Sequence, residues 1–306
     1  NGSGVFTLAA GKQITTASTN HVTDVSGNQT GNPAVLIKGA DVVLNGTIVV
    51  PADADVGLRP VQPGTAIGIG TGAAGTFQVS NAEIAGVGVA VGASGLGGVL
   101  RIGNNDTNAS DPVNTGAVQV SGVSAAGKRL AVISGTTIDD VGGGLGISAA
   151  TLGLNAKGAI GALSGGGDGL TVDIQGLRVT NSGGNDIVIT DVGTGTLTLA
   201  RAVTGGAGNI SITKNIGDLL VSPTAGFAGD VVSTTGTVFL RDGNGLLSIG
   251  ESITGSGITL VSDRMSIGGA VNAGLGNVSI ATAAAGRGID IGSAVDTSAS
   301  ALELSA

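Results

Sequence analysis

The stretch "GITLVSDRMSIGGAVNAGLGNVSIATAAAGRGIDIGSAVDTSASALEL", residues 257–304, is built from two words that recur. The first word is "GITL" (257–260) and "GNVSI" (276–280), preceded by "GTVFL" (236–240) and followed by a degenerate "ALEL" (301–304). The last apolar residues of these words, Leu240, Leu260, Ile280 and Leu304, are spaced 20, 20 and 24 residues apart. The second word lies between them: "LSIGESIT" (247–254), "MSIGGAVN" (265–272) and "IDIGSAVD" (289–296). Each word alternates apolar and small polar residues, the period of a short strand with one face inward. Short strands recurring every 20–24 residues describe the coils of a solenoid, in which stacking closes a core that no coil has alone. A β-sandwich also has many short strands, but it does not normally repeat one word at fixed intervals.

Working upstream, the same alternation persists in "LTVDIQGLRV" (170–179), "GTLTLARAV" (195–203) and "NISITKNIGDLLV" (209–221). Apolar residues nowhere recur at helical spacing over a helical length, and glycine at this density breaks helices but suits tight corners. The expectation is an all-β chain, a right-handed parallel β-helix running as one continuous solenoid over 1–306. Its regular part is 131–306. Residues 1–130 are less regular, with loop excursions near 49–64 and 103–116.

The composition agrees with a thin interior. Aliphatic side chains carry the 41% hydrophobic content, while Cys, Trp and Tyr are absent and only four Phe occur. With a mean hydropathy of +0.44 the chain can bury a core, so disorder is excluded. The net charge of −8 argues against a nucleic-acid partner, whose binding rests on Lys and Arg. The longest uncharged apolar stretch, 84–100, alternates, carries six glycines and is too short to span a membrane as a helix. The chain begins with Asn rather than Met, which reads as a processed or excised piece.

Motifs with chemical meaning fare poorly. Gly70, Gly72 and Gly75 fit G-x-G-x-x-G, but a dinucleotide site needs a helix to open there, and "TFQVSNAEIAG" reads as strand. "GRGID" (286–290) differs from an Arg-Gly-Asp tripeptide by the intervening Ile289. "SGGGDG" (164–169) and "GGNDIVI" (183–189) resemble calcium β-roll repeats, but Asp168 and Asp186 are isolated and read as Asx turns. His21 is the only histidine, and no cysteine accompanies it as a metal ligand. The carboxylate pairs Asp139–Asp140 and Asp53–Asp55 lack the aromatic platforms expected of polysaccharide cleavage. No catalytic, cofactor or metal site is expected.

One charge pattern stands out. All seven basic residues beyond position 150 follow a strand word: Lys157, Arg178, Arg201, Lys214, Arg241, Arg264 and Arg287. In a solenoid this predicts a row along one corner, either a solvated and partly paired edge or a stripe for an anionic glycan or a sister rod.

Over about 190–306 the words resemble the repeats of large bacterial surface exoproteins of the filamentous-haemagglutinin type. The resemblance implies a right-handed parallel β-helix, secreted to the cell surface and serving adhesion, aggregation or biofilm, with no catalytic residues. Two parts of that family are not recognised here, an N-terminal secretion signature and a C-terminal membrane barrel. Exposed strand edges at a solenoid's ends are templates for pairing, so head-to-tail self-association, or continuation by more of the same chain, is expected. The competing expectation is a carbohydrate-active β-helix that binds or cleaves polysaccharide.

Overall fold

The computed structural model describes residues 4–21, 32–92, 97–104, 114–161, 169–223, 232–291 and 301–304. Every strand pairing among them is parallel, and one sheet of 19 strands curls round the core. The chain is a parallel β-solenoid. Along one wall the inward positions Val118, Ile138, Ile160, Ile187, Ile210, Val238, Ile258 and Val278 stand in register, 20 to 28 residues apart. A second wall stacks Val56, Leu100, Leu130, Leu152, Leu177 and Leu199. Nearly all of these are fully buried, so each coil covers the apolar face of the last. Fully burying one such side chain is worth about 1.5–3 kcal/mol. Of the described phenylalanines only Phe77 is completely buried, which fits an interior too thin for aromatics.

As far as Ile280 the repeat words meet as their spacing predicts, whereas Ile289–Ile291, the described part of the last copy of the second word, pairs with Ala301–Leu304 rather than with Met265–Ile267. Leu240 pairs with Leu260 and Leu260 with Ile280. Leu247 pairs with Met265 and Ile253 with Val271. The second word is two strands rather than one: Leu247–Ile249 and Ile253–Thr254 flank a corner at Gly250. Further up, this pair of strands fuses into the single strand Leu197–Thr204, whose halves pair separately with Leu219–Val221 and Val232–Ser233.

Three local readings are corrected. The stretch 49–64 is not one loop excursion, because Val56–Pro60 is a buried strand between Val35–Gly39 and Val99–Gly103. Its Pro60 is the last residue of that strand, beyond the pairing with Val99–Gly103, which ends at Leu58. Most of the second excursion, 105–113, lies outside the described residues. The segment "TFQVSNAEIAG" is only partly strand: Phe77–Val79 is followed by the helix Asn81–Gly86. Ser80 caps the helix and Glu83 reaches back in a capping box, a Ser-x-x-Glu signal present in the sequence. Glu83 Oε1 also accepts the Leu44 N–H, so the helix seals a gap beside the strand Val42–Leu44. Finally, "ALEL" does not stack on "GNVSI". Ala301–Leu304 pairs with Gly288–Ile291 instead, placing Leu302 in the core.

Candidate functional site

Charge gathers on the outward side of the second wall. Its strands alternate, so residues between the inward leucines and valines point away from the core. Those positions hold Lys38, Arg59, Arg101, Arg129, Arg178 and Arg201, six of the thirteen Lys and Arg residues of an acidic chain. Arg101 and Arg178 share one column, separated by Ala131 and Gly153.

This outward face is not wet. Arg59, Arg101 and Arg178 are 2%, 1% and 4% exposed, and Val99 and Ala131 form a small apolar cluster beside them. Burial pushes the Arg59 guanidinium down to about 10. It also lowers Arg129, where Asp55 opposes the shift and Arg101 reinforces it. Burial and the neighbouring Arg59 lower Lys38. Asp55, itself fully buried, accepts the Arg101 Nε–H at 2.9 Å and the Val99 N–H at 2.9 Å. Arg129 Nη1 donates to the Gly97 carbonyl at 2.9 Å. Asp53, which holds a left-handed backbone at φ 66°, accepts the Gly92 N–H at 2.7 Å. Asp53 and Asp55 thus hold the Gly92 and Val99 amides rather than forming a reactive pair.

The seven residues expected in one corner row fall in different places. Arg178 and Arg201 are cross-strand partners on this wall, and Arg201 Nε donates to Thr180 Oγ1. Lys214 is inside the solenoid, with no exposed surface, bonded to Asp191 at 2.7 Å. Arg241 is exposed on the outer side of the first wall. Arg264 reaches Asp218 at 3.8 Å and Arg287 reaches Asp263 at 3.7 Å, both in turns. Lys157 is a half-buried corner residue. No single stripe joins them.

The remaining motifs are structural. Gly70, Gly72 and Gly75 turn the chain between Ile67–Gly70 and Phe77–Val79, and the six-residue helix opens only at Asn81. Asp139 is half-buried outward, while Asp140 points inward and accepts the Thr171 N–H, so the two carboxylates occupy opposite faces. Asp186 accepts from the Asn209 backbone and side chain in a corner ladder that continues to Thr237. Asp168 lies outside the described residues. Among the described residues no group of three metal-capable side chains occurs, and no helix is long and apolar enough to cross a membrane.

Sequence reading missed Asp191 and Asp242, both fully buried. The signal was their parity. In "IVITD", "SITK" and "VFLRD" the charged residues Asp191, Lys214 and Asp242 continue the inward positions of the isoleucines, valine and leucine before them. Burial raises the carboxyl pKa of both aspartates. No protein-family model, characterised protein or solved structure matches the chain.

Proposed function

We propose that this chain is a non-enzymatic structural protein of the bacterial cell surface, a β-solenoid adhesin or fibre subunit that assembles end to end. The observation that carries the reading is where the apolar columns stop being covered. Leu199, Val221 and Ile249 are at most 1% exposed, but Ile267, next in the same column, is 41% exposed. On the first wall Ile210, Val238 and Ile258 are each 1% exposed, and Val278 is 46% exposed. An apolar strand edge of this kind is a template for another parallel strand. A further coil, from a second copy or from more of the same chain, would continue both columns; from a second copy it is a heterologous contact that repeats into a filament.

Polysaccharide cleavage gains no comparable support, because Asp139 and Asp140 face opposite sides and Asp55 is committed to Arg101. The test is sedimentation velocity across a concentration series, with electron microscopy of the concentrated protein. Concentration-dependent rods that V278D abolishes are the expected result. Protein that stays monomeric at high concentration overturns end-to-end assembly. Release of reducing sugar from acidic polysaccharides, lost in D139N or D140N, overturns the non-enzymatic reading.

A further inference from the structure

The chain has no cysteine, so no disulfide can tie one coil to the next. We propose that Lys214 and Asp191 do so with an amide bond between their side chains, formed within the folded solenoid and independent of end-to-end assembly.

The geometry is that of a held nucleophile and acceptor. Asp191 and Lys214 are register partners on the adjacent parallel strands Ile187–Asp191 and Ile210–Lys214, and both point into the core with no exposed side-chain surface. Lys214 Nζ lies 2.7 Å from Asp191 Oδ2 and is fixed from another side by the Gly193 carbonyl at 2.6 Å. The other carboxyl oxygen, Oδ1, accepts the Gly193 N–H at 3.0 Å and, more weakly, the Ile174 N–H at 3.4 Å. One oxygen therefore faces the amine while the other sits under two backbone amides, placed to stabilise the charge that develops there on attack. Fixing both groups in contact removes the entropic cost of bringing them together. Burial raises the Asp191 pKa, which favours the neutral acid that a nucleophile can attack.

The step balances without a co-reactant. A proton passes from the Lys214 ammonium to Asp191 Oδ2, leaving a neutral amine and a neutral acid. Nζ attacks Cγ, and the charge on Oδ1 is held by the Gly193 and Ile174 N–H groups. A second proton moves from nitrogen to Oδ2, the Cγ–Oδ2 bond breaks, and that oxygen leaves as water. Nζ keeps one hydrogen as the amide N–H. Water is scarce in the core, so hydrolysis back to the acid is disfavoured.

The reaction is directed to Asp191 although Lys214 has a second carboxyl neighbour. Asp242 is its register partner on the next coil, also fully buried. Both Asp242 oxygens are taken by backbone donors: Oδ2 accepts from Leu219 at 3.0 Å, and Oδ1 from Asn244 at 3.0 Å and from Gly245. Its carboxyl group is thus turned to the corner.

The test is the intact mass of the purified wild-type chain under denaturing conditions, after prolonged incubation of the folded protein at neutral pH. The expected mass is lower by one water, with a branched peptide joining positions 191 and 214 in tandem spectra. D191N should lose one ammonia instead, and K214R should lose nothing. A wild-type chain of full mass overturns the proposal and leaves an ordinary buried ion pair. So does a water lost elsewhere, such as a cyclic imide at Asp242–Gly243, which K214R would not prevent.

Discussion

Val238 and Val278 are the same residue in the same inward column, two coils apart, and the difference between them measures how far the column is covered at each. Val238 is 1% exposed and Val278 46% exposed. Replacing either by alanine removes two methyl groups, worth together about 1.6 kcal/mol when fully buried. At Val238 the walls on both sides are fixed, so a cavity adds to this, and V238A should cost about 2–3 kcal/mol. At Val278 about half of the transfer energy is already missing and no closed cavity can form. V278A should therefore cost about 0.5–1 kcal/mol. Urea unfolding with the slope unchanged reads both values, at a dilution that keeps chains apart. In assembled material the two costs should converge, because a following coil would bury Val278 as fully as Val238. Equal costs at high dilution would refute the open column, and with it the reason for assembly at this end.

Three other perturbations test the interior. D55A removes the carboxylate bonded to Arg101 and leaves a buried guanidinium beside Arg129, so it should cost about 3–5 kcal/mol in urea unfolding; a loss below 1 kcal/mol would show that the wall does not depend on this pair. E83A removes the acceptor of the Leu44 N–H together with half of the capping box, and should cost about 1–3 kcal/mol, while D290N at an exposed position of the strand Gly288–Ile291 costs little. The third concerns pH. The folded Asp242 carboxyl titrates above the ordinary aspartate range because burial outweighs its backbone donors. Between the ordinary and the raised value, the folded chain holds a proton that the unfolded chain has released. Raising the pH through that window therefore costs stability, and acidifying restores it. D242N should remove that part of the slope of urea midpoint against pH, and an unchanged slope would exclude Asp242 as its source.

The repeat words were legible because a strand writes its inward face into its own residues. Leu240, Leu260 and Ile280 stack as their spacing requires. The same parity placed Asp191, Lys214 and Asp242 inside, although a charge at the end of a strand word reads naturally as a surface corner. Arg201 shows where parity fails. Counting from Leu197 and Leu199 puts it inward, but an extra residue at Ala200 turns it outward beside Arg178. A bulge needs two strands to be seen, since it is a mismatch of count between partners. The helix Asn81–Gly86 carried its capping box openly, yet six residues give too little periodicity to compete with the strand pattern around them.

The sequence by itself determined the all-β class, the coil length of the regular part, the pairing of the repeat words as far as Ile280 and a core built of aliphatic side chains with almost no aromatics. These follow from alternation within a strand and repetition between strands, both local properties of the chain. Only the tertiary structure decided that Arg59, Arg101 and Arg178 are covered, that "ALEL" pairs with the word before it, and that Val278 and Ile267 are left open. Whether an outward residue meets water depends on which distant segment crosses it. Whether an inward residue is buried depends on the presence of a next coil. Neither is written in the residue or its neighbours.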